Sequence, residues 1–176
     1  MKPDNPTLNT ERMVLRPLIA SDAEALFAVF SDPQVCTYWS GPPHKTQAET
    51  HAYVALSVAD STSTCWVLTL QNDQALGWIY LGDRRSGIAE IGFILRRDHW
   101  GKGLVVEAAH AVVQYGFDQR NLRRIYADAD PDNAGSIRVI EKLGFLYEGR
   151  ARGNWNTHIG VRDSLIYGRL CTDPPS

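Results

Sequence analysis

Glu90 stands in an otherwise apolar run, Ala89-Glu90-Ile91-Gly92-Phe93-Ile94-Leu95. A carboxylate there has two readings. Strand alternation puts it on one face with Gly92 and Ile94. Burial on that face would help it accept a proton from an ammonium nucleophile, directly or through water. Alternatively it pairs with an arginine and only holds the sheet. Just beyond lies Arg96-Arg97-Asp98-His99-Trp100-Gly101-Lys102-Gly103-Leu104, a glycine turn that opens a helical pattern. Glycines at 101 and 103 allow backbone conformations and close approaches that a Cβ hinders. The amides that begin a helix lack intrahelical acceptors, and they lie at the positive end of its dipole, so the turn suits a phosphate. Arg96, Arg97 and Lys102 add positive charge. The alternative is an ordinary turn, with Trp100 a core or loop anchor. The GxxxxGK[ST] spacing of a Walker loop is absent, and so is the third glycine of a dinucleotide fingerprint. Asn133 and Ser136 form a second group. Asn133 is placed to cap a helix, and Ser136 falls in its first turn.

Other reactive residue types are less organised. His44, His51, His99, His110 and His158 show no HxxxH spacing, which points away from a metal site. Cys36, Cys65 and Cys171 have no CxxC and no activating neighbour, so they read as reduced thiols. Trp39 is the candidate wall of an acceptor pocket, with packing on the sheet as its alternative. Tyr38 and Trp155 stay open between the same two readings. Asp163 reads as an ion-pair partner of adjacent Arg162, and Arg120, Arg123 and Arg124 read as a solvated surface.

Those groups need a scaffold. The chain has 176 residues, 18 Lys and Arg, 20 Asp and Glu, and a net charge of −2. That is one globular domain's worth of chain, without the basic excess of a nucleic-acid or membrane-surface binder. The N-terminal stretch carries no apolar signal-peptide core, and no apolar run reaches a membrane span, so a cytoplasmic protein is expected. Met13–Leu18 reads as a strand. A helix capped by Ser21 or Asp22 runs to Phe30, and Asp32-Pro33 stops it. Residues 39–45 form a loop, and Thr46 to Val58 a second helix. Trp66–Leu70, Ala75–Leu81 and Ala89–Leu95 read as an antiparallel meander turning at Asn72-Asp73 and at residues 83–87. Leu104, Ala108, Ala111, Val112 and Tyr115 mark a long amphipathic helix. Arg124–Ala129 is a strand, Asn133 opens a fourth helix that Gly144 ends, and strands near 146–150 and 161–170 flank a Gly- and Asn-containing loop. The simplest arrangement is a single α/β domain over residues 10–170. It has a mixed, mostly antiparallel sheet flanked by about four helices, a flexible N-terminus at 1–9 and a flexible tail at 171–176.

The ordered set of motifs resembles a known family. Glu90-Ile91-Gly92-Phe93, Trp100-Gly101-Lys102-Gly103 and Glu107-Ala108 are similar to the central motif of GCN5-related N-acetyltransferases (GNAT). Thr10-Glu11-Arg12-Met13-Val14-Leu15-Arg16-Pro17-Leu18, Asn133-Ala134-Gly135-Ser136, Glu141-Lys142-Leu143-Gly144-Phe145 and Arg162-Asp163 with Tyr167 resemble its RimJ/RimL-type ribosomal-protein alanine acetyltransferases. Where that family's glycine motif often begins with Gln or Arg, this chain has Asp98.

The resemblance implies a GNAT-like sheet that splays near its centre, with acetyl-CoA as donor and no metal. It implies backbone contacts to the pantetheine arm from Phe93, Ile94 and Leu95. His99, Trp100, Gly101, Lys102, Gly103 and Leu104 would surround the pyrophosphate. Asn133 would sit near the cofactor, and Ser136 would approach the sulfur and protonate the departing thiolate. Glu90 is placed like a catalytic base. The expected reaction is direct attack by a primary amine in a ternary complex, most simply the N-terminal α-amine of a protein or peptide. The alternatives are a small-molecule amine (an amino acid, polyamine or antibiotic) and a non-catalytic acyl-CoA-binding module. Neither nucleic acid nor membrane is an expected partner, and the chain is expected to be a monomer or homodimer.

Overall fold

The computed structural model of the chain describes residues 5–174. Its strands are β1 (Leu8–Asn9), β2 (Val14–Pro17), β3 (Ser63–Thr69), β4 (Gly77–Arg85), β5 (Ile88–Leu95), β6 (Arg124–Ala129), β7 (Leu146–Thr157) and β8 (Gly160–Leu170). The α-helices are α1 (Ala23–Phe30), α2 (Gln47–Ala59), α3 (Leu104–Asp118) and α4 (Ala134–Lys142). The strands form one sheet in the order β1-β2-β3-β4-β5-β6-β8-β7. Among the paired strands only β5 and β6 run parallel.

Two apolar layers clothe the sheet. On one side α1 and α2 bury Leu26, Val29, Phe30 and Val54 against Val67, Trp78 and Ile94. On the other, α3 and α4 bury Ala108, Val112 and Ile140 against Leu68, Ile79, Leu81, Ile91 and Ile125. The period of two in β3 to β6 feeds both layers, so each strand is apolar on both faces wherever helices cover it. Each fully buried Leu, Ile, Val or Phe contributes roughly 1.5–3 kcal/mol of transfer free energy.

Local signals set the helix ends. The Thr46 side chain accepts from Glu49 N, and that of Asn133 accepts from Ser136 N. Gly144 (φ 75) ends α4: its N–H donates to the Glu141 carbonyl and Phe145 N–H donates to the Ile140 carbonyl, the paired bonds of a Schellman stop. Asp22 behaves differently from the cap expected of it. Its buried carboxylate accepts Ile19 N–H and two bonds from Arg16.

Several other expectations need correction. Residues 5–9 are tied down: Asn5 Nδ2 donates to the Cys65 carbonyl, Trp66 Nε1 donates to the Pro6 carbonyl, and β1 pairs with β2. The flexible end expected at residues 1–4 lies outside the described residues. Of the expected tail, Cys171 N–H donates to Arg123 O and Pro174 O accepts from Arg169, whereas 175–176 lie outside the described residues. β4 continues to Arg85, so the hairpin turn is only Ser86-Gly87. The loop expected between the last two strands is strand as well. β7 and β8 pair across it with register shifts between Tyr147 and Gly149 and between Ala151 and Trp155. Bulges admit Gly and Asn, which is why the composition looked like a loop.

The three arginines read as solvated are all tethered: Arg120 to Asp83, Arg123 to the Ser86 carbonyl, and Arg124 to Glu148. Asp163 pairs with Arg150, while its neighbour Arg162 pairs with Asp130 and Asp132.

Candidate active site

β5 and β6 pair only at Ile88–Arg124, Ala89–Ile125 and Glu90–Tyr126. Past that point the strands part. Asp83 N–H donates to Thr62 O, and Arg96 N–H donates to Leu76 O. In an antiparallel ladder these bonds fix the alternation: Glu90, Gly92 and Ile94 turn their peptide groups to β4, and Phe93 and Leu95 turn theirs into the gap. The Leu95 carbonyl is taken by Trp100 Nε1 at 2.8 Å. The gap therefore offers the N–H and C=O of Phe93 and the N–H of Leu95. Ile94 is corrected here: its backbone serves the β4 ladder, and its side chain is buried in the α1–α2 layer.

The glycine turn lies at the end of that edge. Gly101 (φ 73) and Gly103 (φ 76) both take left-handed conformations, and Gly103 is the N-cap of α3. The amides of Leu104, Val105 and Val106 have no acceptor one turn back. Trp100 is 48% exposed, so it is a loop anchor and not a core residue. The carboxylate of Asp98 turns onto Arg96 (2.8 Å) and His99 Nδ1 (2.7 Å). Hydrogen bonds from Arg96 and then His99 hold its pKa well below the usual carboxylate range. Its charge is thus matched locally.

A cleft of about 970 Å³ runs along the splay. Of the expected donor-side residues, Phe93, Ile94, Leu95, His99, Trp100, Gly101, Gly103, Leu104, Asn133 and Ser136 line it. Lys102 does not; its carbonyl instead accepts from Arg12 Nη1 at 2.8 Å. Asn133 caps α4 with Oδ1 (3.1 Å to Ser136 N), which leaves its amide nitrogen free to donate. The Ser136 hydroxyl has no hydrogen-bond partner among the described residues.

Glu90 also lines the cleft. Oε2 accepts from Arg84 Nε at 2.9 Å and from Tyr126 hydroxyl at 3.0 Å, and Oε1 accepts from Tyr80 hydroxyl at 3.3 Å. A carboxylate has about four lone-pair directions, so one remains. Burial, then the Glu90 charge, pushes both phenols above the ordinary tyrosine range, so they stay protonated and donate to Glu90. Gly92 makes this arrangement possible, because a Cβ there would come within 2.4 Å of the Tyr80 ring.

Trp39 lines the same cleft and donates to Tyr53 hydroxyl at 3.2 Å within a cluster with Phe30 and Trp78. It packs in that cluster and also faces the cleft.

The sequence missed two groups. Thr10 and Arg12 bind Glu107 (Oγ1 to Oε1 2.6 Å, Nε to Oε2 2.6 Å), clamping the opening segment to the first turn of α3. Burial opposes the Glu107 charge, but the hydrogen bonds from Thr10 and Arg12 outweigh it and lower its pKa. Asp128 lines the cleft on β6. The alternation Ala127-Asp128-Ala129-Asp130 carried that signal, with its small apolar residues turned to the core and its acids turned away.

Comparison with known proteins agrees with this geometry. Residues 12–146 match the Acetyltransferase (GNAT) domain family. The chain is 34% identical over 152 residues to the uncharacterized N-acetyltransferase p20 of Bacillus licheniformis, covering 83% of this chain and 85% of that protein. It is 29% identical over 162 residues to spermidine N(1)-acetyltransferase of Escherichia coli, covering 89% and 83%. A GNAT-family acetyltransferase structure from Bacillus anthracis matches with a TM-score of 0.86 at 26% identity, covering 96% of this chain and all of the other. The ribosomal-protein-S5-alanine acetyltransferase of Vibrio fischeri shares the fold, with a TM-score of 0.81 at 21% identity over 96% of this chain and 98% of that one. The chain belongs to the GNAT family and is an acyltransferase of the N-acetyltransferase type. Proteins of this family use acetyl-CoA as co-substrate. The described residues contain no helix long and apolar enough to cross a membrane, and no group of three or more metal-binding side chains.

Proposed function

We propose that the chain transfers acetyl from acetyl-CoA to a primary amine by direct attack in a ternary complex. The observation that carries this reading is the splay. Free peptide groups at Phe93 and Leu95 lead to the glycine turn and the amides that open α3, a path that fits an extended arm ending in phosphates. In this reading His99, Trp100, Gly101, Gly103 and Leu104 surround the pyrophosphate, and Asn133 Nδ2 donates nearby. Lys102 holds the turn in shape through its carbonyl, which accepts from Arg12. Phe93 N–H, the inner of the two free amides, polarises the thioester carbonyl. The amine lone pair forms the C–N bond and the C–S bond breaks. The amine's proton leaves through a water to the open lone pair of Glu90, and Ser136 Oγ–H passes a proton to the thiolate while regaining one from solvent water. Tyr80, Tyr126 and Arg84 hold Glu90 in place.

The RimJ/RimL-type motifs support the N-terminal α-amine of a protein or peptide as one acceptor class. One observation supports a second class, small cationic amines: the acceptor end of the cleft carries Asp128, a carboxylate outside any ion pair among the described residues. The relative named for spermidine points the same way. Three cysteines without a disulfide framework fit the cytoplasm. A thiol-release assay with acetyl-CoA and a panel of peptides and small amines tests the reading. Release that depends on the amine supports it. Tight acetyl-CoA binding with no release for any amine contradicts it.

A further inference from the structure

Asp128 is two residues beyond Tyr126 on β6, on the face that carries Glu90 and just past the point where β5 and β6 part. Asn154 Nδ2 and Trp155 Nε1 both donate to it at 3.0 Å, and both bonds fall on Oδ2. Oδ1 has no partner among the described residues. The other cleft carboxylates nearby are matched by cations: Glu90 by Arg84, Asp130 and Asp132 by Arg162, and Asp163 by Arg150. Trp155, half-exposed, holds Oδ2 of the same carboxylate through its indole N–H, which puts an aromatic side chain next to Asp128. A carboxylate oxygen flanked by an indole is a recognition site for an alkylammonium.

The reacting nitrogen must lose its proton before it can attack, and pairing it with a carboxylate would hold the proton on. Asp128 therefore suits an ammonium that does not react. We propose that Asp128, with Trp155, binds a second ammonium of the acceptor, making diamines and longer polyamines the preferred substrate class. This rests on the acetyltransferase reading and selects its second acceptor class.

The test pairs the wild type with Asp128→Asn. The variant keeps one carbonyl oxygen to accept both N–H bonds, so its fold is retained. An alkyl diamine, the alkyl monoamine of equal length and a lysine-free peptide with a free N-terminus are compared by thiol release. Diamine binding to the CoA-loaded protein is measured by calorimetry. The expected result is a wild-type kcat/KM roughly tenfold or more higher for the diamine, since a charge-assisted bond is worth about 1.5–3 kcal/mol. That preference is lost in Asp128→Asn: kcat/KM falls roughly tenfold or more for the diamine and far less for the monoamine and the peptide. Equal wild-type rates for diamine and monoamine, or an equal loss for all three acceptors in the variant, would overturn the proposal. So would a diamine that fails to bind. Diamine binding that depends on Asp128 without any thiol release would instead remove the transferase reading and leave the ammonium site standing.

Discussion

The two ends of the cleft are made of different material. In the proposed reading the donor end is backbone: peptide groups of Phe93 and Leu95, left-handed glycines at 101 and 103, and the opening amides of α3. The acceptor end, in the same reading, is side chains brought together from distant elements: Glu90 with Tyr80, Arg84 and Tyr126, Asp128 with Asn154 and Trp155, and Trp39 with Tyr53. A backbone site recognises what every donor molecule shares, and it tolerates side-chain change so long as the turn keeps its conformation. A side-chain site can change acceptor by changing one residue. The difference separates what the fold provides from what this particular chain selects.

The largest expected effect tests the acceptor end. Glu90→Gln should lower kcat by about 10²–10³, in the range of general acid–base contributions, and flatten the acid limb of the pH–rate profile. An unchanged profile would leave Glu90 as a sheet-holding partner of Arg84. Gly103→Val tests the donor end. A β-branched residue resists φ 76, so the amides at the start of α3 shift. Acetyl-CoA should bind roughly tenfold more weakly by calorimetry, with the order of preference among amines preserved. A changed acceptor order would break the separation of the two ends.

Ser136→Ala should cost only severalfold in kcat, because a thiolate leaves without much help. Full turnover would remove its role as an acid. The smallest effect concerns the clamp beneath the donor turn. Glu107 has a folded-state pKa below its unfolded one, so its contribution to stability is present above about pH 4.5 and is lost as pH falls through the folded value. Glu107→Gln should therefore melt below the wild type at pH 7, and the gap should narrow as the solution is acidified. A gap that widens in acid would contradict the clamp.

How much could be read from sequence follows the same division. The glycine turn, the Asn133 cap and the Gly144 stop were legible because each is decided within a few residues. The order of strands and helices was legible because its periodicity is local. Arg84 and Tyr126 were not seen as partners of Glu90, because nothing near Glu90 announces contacts that depend on sheet register. The bulged hairpin of β7 and β8 was read as a loop, since Gly149, Gly153 and Asn154 suit both. Register also decided Ile94. Its side chain fitted the strand pattern, but only the ladder's phase shows that its peptide group faces β4.

The most direct test of the central claim is residue-resolved amide hydrogen exchange with and without acetyl-CoA. The N–H groups of Phe93, Leu95 and residues 101–106 should exchange quickly in the free protein and gain protection when the donor binds. Gly92 and Ile94 should be protected in both states. Donor-dependent protection that leaves Phe93 and Leu95 unchanged and falls on other strands would contradict it.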